Sequence, residues 1–176
     1  VQGSGMGMPS MGIYSYELFH FYGVETIVRV GSAGALQDDL NIGDLVVAAG
    51  CSSFTRDLDQ FGTPGAFAPL GNFELAAAAV KAAREKGFRC VAGNVLSSDT
   101  FYDDDPDFLK KWQRMGVLAV EMETAALYAN AARAGKRALG IFTVSDCPFK
   151  GLATTAEQRQ TAFTGMVETA LELLNG

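Results

Sequence analysis

Short β-branched and apolar runs alternate along this chain with longer segments of helical periodicity, and most of the helical segments stop at a glycine. That alternation is the strongest constraint on the fold. A chain that lays down a helix between successive strands builds a largely parallel sheet covered by helices. The spacing predicts a helix from Pro9 to Tyr22 closed by Gly23, then a short strand from Thr26 to Val30. Strands are expected in "GDLVVAAG", "RCVAGNVLSSD", "VLAVE" and "RALGIFTVSD". Helices are expected in "NFELAAAAVKAAREKG", "DPDFLKKWQRMG", "TAALYANAARAG" and a terminal "TTAEQRQTAFTGMVETALELLN". The Gly- and Pro-rich stretch "RDLDQFGTPGAFAPLG" reads as a surface loop. With 48% apolar residues over 176 positions there is material for one core. The expected fold class is therefore α/β, a single domain over residues 1–176 with a mixed, largely parallel central sheet flanked by helices on both faces.

Several function classes fall away at this stage. The chain carries 14 basic and 20 acidic residues for a net charge of -6, with no Lys/Arg-rich stripe, so nucleic acid is not an expected partner. No apolar run approaches membrane-spanning length and no basic segment precedes a hydrophobic one, so no membrane association is expected. Cys51, Cys90 and Cys147 are odd in number and widely spaced, which fits a reduced, cytoplasmic setting and no metal site. His20 is the only histidine. It lies in the apolar "YELFHFYG" and reads as a packed helix residue rather than a catalyst.

In a sheet of this kind ligands gather where the carboxyl ends of the strands meet the loops. The chemically capable residues lie there: Arg29 and Ser32, the segment 97–101, Glu121 and Glu123, and Ser145 with Asp146. Arg29 is followed by "VGSAGA", whose small residues let backbone amides approach an anion; an arginine paired within the core is the equal alternative. In "VLAVEMETAALY" two glutamates sit where a buried strand becomes an alanine-rich helix. Acidic residues suit a helix start. In extended chain, however, Glu121 and Glu123 also share a side, where they could accept hydrogen bonds from vicinal hydroxyls, with Met122 offering an adaptable apolar surface. Asp146 ends the apolar "IFTVS"; a desolvated carboxyl group favours its protonated form and could act as a general acid, while a turn-capping Asp is the plainer reading. Taken alone, Arg159 reads as a solvated helix residue and Phe101 as core. The glycine-rich "GSGMGMPS" lacks the spacing of a nucleotide-binding loop.

Together, "RVGSAGA", "SSDTFY", "VEMETAALY", "TVSD" and "TTAEQRQTAF" resemble the hexameric bacterial type of purine nucleoside phosphorylase, within the nucleoside phosphorylase superfamily. The resemblance spans essentially the whole chain and implies a nucleoside phosphorylase-like fold. It implies reversible phosphorolysis, in which a purine nucleoside and phosphate give free base and a pentose 1-phosphate. Phosphate would lie on Arg29 and the Val30-Gly31-Ser32 stretch, through the backbone and hydroxyl of a Gly31-Ser32 turn. Glu121, Met122 and Glu123 would form the nucleoside-binding segment, with Glu123 on the ribose hydroxyls and Met122 near sugar and base. Met6 would line the sugar, Phe101 would pack on the base and Ser145 would sit beside it. Asp146 would give a proton to N7, and Arg159 would support that transfer. Inorganic phosphate is then a co-substrate, no cofactor is implied, and the assembly is a homo-oligomer, a hexamer in the family.

Two features depart from the family pattern. Nothing here matches the family's N-terminal Gly-Asp-Pro loop with its phosphate-binding arginine, so the chain is expected to be N-terminally incomplete and to expose a sheet edge that favours association. "CPFKG" also stands after Asp146, where the family commonly has a polar residue. A nucleosidase of the same superfamily, using water in place of phosphate, and a non-catalytic nucleoside-binding protein are the alternative functions. Uridine phosphorylase fits less well, because "SSDTFYDDDPDF" has no clear Gln/Arg pair to read a pyrimidine.

Overall fold

In the computed structural model, which describes residues 1–161 and 163–174, the chain alternates as expected. The helices are α1 (Gly7–His20), α2 (Phe73–Glu85), α3 (Phe108–Arg114), α4 (Thr124–Ala134), α5 (Ala156–Thr161) and α6 (Thr164–Glu172). The strands are β1 (Thr26–Ala35), β2 (Leu45–Ser53), β3 (Cys90–Ser97), β4 (Ala119–Glu121), β5 (Arg137–Cys147) and the two-residue β6 (Leu152–Ala153). Local chemistry sets several of the ends. Asn72 caps α2 by accepting from the Leu75 amide at 3.0 Å. Gly135, at φ 64°, closes α4 in the left-handed conformation that glycine adopts without a Cβ penalty.

The strand order is β1-β4-β3-β2-β5-β6, and β1 also pairs with β5. The sheet is mixed. β1 runs parallel to β5, and β2 to β3 and β3 to β4; β1–β4, β2–β5 and β5–β6 are antiparallel. Because β1 pairs on both sides, the five longer strands close into a ring. The ring closes only at one end: residues 26–33 of β1 pair with β5 alone among the described residues, because β4 joins β1 only at Gly34 and Ala35, so a sheet edge stays open along most of β1.

Alternation along β2 shows how helices cover both faces. Val46 and Ala48 join a core built with Met8, Met11 and Phe19 of α1 and Ala125, Leu127 and Tyr128 of α4. Leu45 and Val47 point the other way, into a core with Leu75, Ala76, Ala79 and Ala83 of α2. A third cluster, Leu36, Leu96 and Val117, packs against Phe108, Leu109 and Trp112 around α3. No helix among the described residues is long and apolar enough to cross a membrane. All three cysteines are free and buried.

Three expectations change. β1 does not stop at Val30 but continues through "GSAGA" to Ala35, because pairing with β5 extends to Gly34 and overrides the turn character of small residues. The terminal helix breaks into α5 and α6 around Phe163, which lies at φ -96°, ψ 47°; residues 162 and 175 of that expected helix lie outside the described residues. His20 is exposed in the last turn of α1 rather than packed, with its ring 4.2 Å from that of Tyr16.

Tyr128 ties the layers together. Its buried hydroxyl donates to Ala48 O in β2 at 2.6 Å and accepts from the Gly140 amide in β5 at 2.8 Å. Tyr128→Phe would leave both backbone groups buried without that partner, so unfolding free energy should fall by about 1–3 kcal/mol, measured by urea denaturation.

Candidate active site

The site begins with a charge that cannot be neutralised. Arg29 lies in β1 with its side chain only 10% exposed, and a guanidinium stays protonated in any protein environment. Its Nη2 contacts Glu123 Oε2 and lies 3.6 Å from Glu121 Oε2. Its Cζ sits 4.9 Å over the Phe142 ring. Nε and Nη1 are buried, and no described residue offers them a hydrogen bond. Gly31, two residues on and on the same face of β1, is where this side chain folds back: a Cβ there would overlap Nη1 and lie 3.2 Å from Cζ.

The two glutamates are held differently. Glu121 ends β4 with its side chain fully buried. Its carboxylate accepts from the Ser97 hydroxyl, the Glu123 amide at 3.0 Å and the Thr124 amide at 3.1 Å. This is the helix-start arrangement: a carboxylate on the unpaired amides that open α4. Those donors give Glu121 a structural role beside the nucleoside contact expected of it. Glu123 instead spans two elements, accepting from the Gly7 amide at 2.7 Å through Oε1 and from Arg29 through Oε2.

The glycine-rich "GSGMGMPS" thus has a structural use. Gly7, at φ 85°, opens α1 with its amide on Glu123, and the Met8 amide donates to Asp99 Oδ1 at 3.2 Å. The first turn of α1 therefore rests on two carboxylates, and Met6 immediately before it is 76% exposed. Asp99 belongs to the segment 97–101 expected at a strand end, but the sequence alone assigns it no role. Its only signal was its place in "SSDTFY" just beyond β3. Phe101 from the same segment is 74% exposed, its ring 5.0 Å from that of Tyr102. Met122 is half-buried between the two glutamates.

A second group forms around the end of β5. The register between β1 and β5 shifts so that Ala33 pairs with Val144 and Gly34 with Asp146, which leaves Ser145 as the extra residue of a bulge. The buried Ser145 hydroxyl donates to Asp146 Oδ1 at 2.7 Å. Asp146 Oδ2 occupies space above Gly34: a Cβ on Gly34 would lie 2.7 Å from it and 3.4 Å from Val120 Cγ1. Arg159 does not reach Asp146. It is exposed, donating through Nε to Thr154 Oγ1 at 3.2 Å and through Nη2 to Thr154 O at 3.1 Å. Thr154 is joined in turn to Ser145 O by its amide and hydroxyl, both at 2.9 Å.

The structure therefore joins Arg29, Gly31, Glu121 and Glu123 in one cluster and Ser145 with Asp146 in another. The two groups adjoin through β4, since Gly34 beside Asp146 pairs with Val120, the neighbour of Glu121. Val30 and Ser32 alternate away from Arg29. The Gly31-Ser32 turn expected for phosphate is strand instead, for the pairing reason given above. Gly31→Ala should push Arg29 off Glu123, and unfolding free energy should drop by about 1–3 kcal/mol in urea denaturation, as overpacking of a filled site does.

This geometry can be set beside known proteins. The family model described as the phosphorylase superfamily matches residues 1–175. A "Purine nucleoside phosphorylase DeoD-type" from Geobacillus sp. (strain WCH70) is 47% identical over 173 residues, covering 98% of this chain and 73% of the relative. Proteins of the same name from Bacillus cytotoxicus and from Alkaliphilus metalliredigens (strain QYMF) are each 48% identical over 174 residues, again covering 98% of this chain, with 73% and 74% of the relative. With a family match of that extent and relatives this similar across nearly its whole length, the chain belongs to the phosphorylase superfamily, and within it is similar to the DeoD-type purine nucleoside phosphorylases.

Proposed function

We propose that this protein catalyses the reversible phosphorolysis of purine ribo- or deoxyribonucleosides, giving the free base and (deoxy)ribose 1-phosphate. The observation that carries the reading is the Arg29–Glu123 pair, a permanent cation beside a carboxylate bound to the first turn of α1. A phosphate dianion needs the former, and a pair of sugar hydroxyls needs the latter. Similarity to relatives named purine nucleoside phosphorylase supports the same reading.

The residue roles follow from that chemistry. Phosphate lies on Arg29 beside the Val30-Gly31-Ser32 stretch, and Glu123 accepts from the ribose hydroxyls while Met122 and Met6 pack near the sugar. Phe101 and Ser145 flank the base. A phosphate oxygen bonds to C1′ as the C1′–N9 bond breaks, and the bonding pair leaves with the purine. Positive charge grows on the sugar and negative charge on the base, so the anion on one side and a donor on the other both stabilise the transition state. Asp146 gives its proton to N7, and Arg159 acts from behind through Thr154 and Ser145. Phosphate is the co-substrate, and no resident cofactor is required. The three buried, free cysteines suit the cytoplasm. Exposed Ile13, Phe21, Tyr22, Phe101 and Tyr102 suit burial in a homo-oligomer, a hexamer by family resemblance.

Incubation with inosine, with and without phosphate, tests the reading. Hypoxanthine and ribose 1-phosphate should form only when phosphate is present. Free ribose without phosphate would identify a nucleosidase, and binding without turnover a non-catalytic nucleoside-binding protein. The acid role has its own test. Asp146→Asn should slow natural purine nucleosides by about 10²–10⁴-fold. It should affect 7-methylguanosine much less, because that base already carries the positive charge protonation would supply. Equal losses on the two substrates would show that Asp146 positions the base without donating to it.

A further inference from the structure

Ser97, the last residue of β3, is fully buried, and its hydroxyl is completely engaged. It accepts from the Ala125 amide in the first turn of α4 at 2.9 Å and donates to Glu121 Oε1. Cys51 Sγ lies 3.1 Å away. A hydroxyl has one proton to give and two lone pairs. The proton goes to the carboxylate, so the thiol is the donor in the Cys51 contact. Burial, and then the charge of Glu121, push the thiol pKa far up and keep that proton in place.

The hydroxyl decides where Glu121 stands. Arg29 Nη2 has two carboxylates in reach: Glu123 Oε2 in direct contact and Glu121 Oε2 at 3.6 Å. Glu121 stays at that distance because Ser97 pulls Oε1 toward β3 while the Glu123 and Thr124 amides hold Oε2. We propose that Ser97 is a positioning residue for phosphate binding: by anchoring Glu121 it keeps the second carboxylate off Arg29, so that an incoming dianion competes with one glutamate and not two. This rests on the assignment of phosphate to Arg29 made above.

Ser97→Ala removes one donor from Glu121 and frees the carboxylate to close on Arg29. The expected result is a rise of about fivefold or more in the KM for phosphate, with the KM for inosine changed by less than about twofold. Ser97→Ala/Glu121→Gln should return the phosphate KM toward the wild-type value. A neutral amide does not compete for the guanidinium, and its oxygen can still accept from the Glu123 and Thr124 amides. Loss of fold alone would not be reversed by removing a charge. Ser97→Cys, nearly the same shape with a weaker donor, should give the same selective rise and serves if Ser97→Ala does not accumulate as folded protein. Equal rises in both KM values, or no recovery in the double variant, would overturn the role of Ser97 while leaving the proposed function standing. A wild-type protein whose turnover ignores phosphate would overturn both.

Discussion

A guanidinium sealed at the seam of β1 and β4 sets the terms for everything around it. Arg29 cannot shed its charge, and an unpaired charge at this depth would be costly by several kcal/mol. Two carboxylates answer it, leaving the group with one excess negative charge. That excess is met by the amides at the starts of two helices: those of residues 123 and 124, where α4 begins, and Gly7, where α1 begins. The same few contacts thus neutralise the arginine, open α4 and dock α1. The adjoining core of Met8, Tyr128 and Phe142 assembles against that junction.

Close approach is possible because side chains are missing at chosen points. Gly31 leaves room for Arg29, and Gly34 leaves room for the Asp146 carboxylate. Gly140 stands where the Phe142 ring would meet a Cβ at 2.9 Å. Each of these glycines weakens a strand slightly, since a strand interior gains from side-chain packing. The sheet tolerates this, because each position keeps its backbone pairing: Gly31 with Phe142, Gly34 with Val120 and Asp146, and Gly140 with Arg29 and Ala48. Small residues in "RVGSAGA" therefore mark cavities in the sheet's surface, not a bend in its path.

That distinction explains what could be read from the sequence. The predicted strands formed, and so did the predicted helices except the terminal one, which divides in two, because alternation of apolar runs and glycine stops are local signals. Arg29, Glu121 and Glu123 were also legible, as polar residues in places that should be dry. The length of β1 was not, since a run of Gly, Ser and Ala looks like a turn until β5 is known to lie beside it. Ser97 and Asp99 were legible only as members of the segment 97–101 at the end of β3, without a role of their own. A serine at a strand end and an aspartate in a loop have no distinguishing local pattern, and their importance comes from partners 28 and 91 residues away. The bulge at Ser145, which sets Asp146 opposite Gly34, was hidden as well, because it exists only in the pairing of β1 with β5.

The pair of glutamates also divides the labour that its spacing alone left open. Glu121 is held by donors that belong to the backbone and to a fully buried serine, none of which can leave without opening α4. Glu123 is held by one backbone amide at a helix start and by a flexible arginine. A hydrogen bond exchanged one for one costs little, whereas a buried group left bare costs its full desolvation. A ligand presenting hydroxyls to Glu123 and an anion to Arg29 can make that exchange in a single step, since each of its groups replaces the partner the other displaces. Glu121 has no such exchange open to it. Of two carboxylates two residues apart, one is therefore held by the fold and the other by partners a ligand can replace, and the difference lies in what holds each of them.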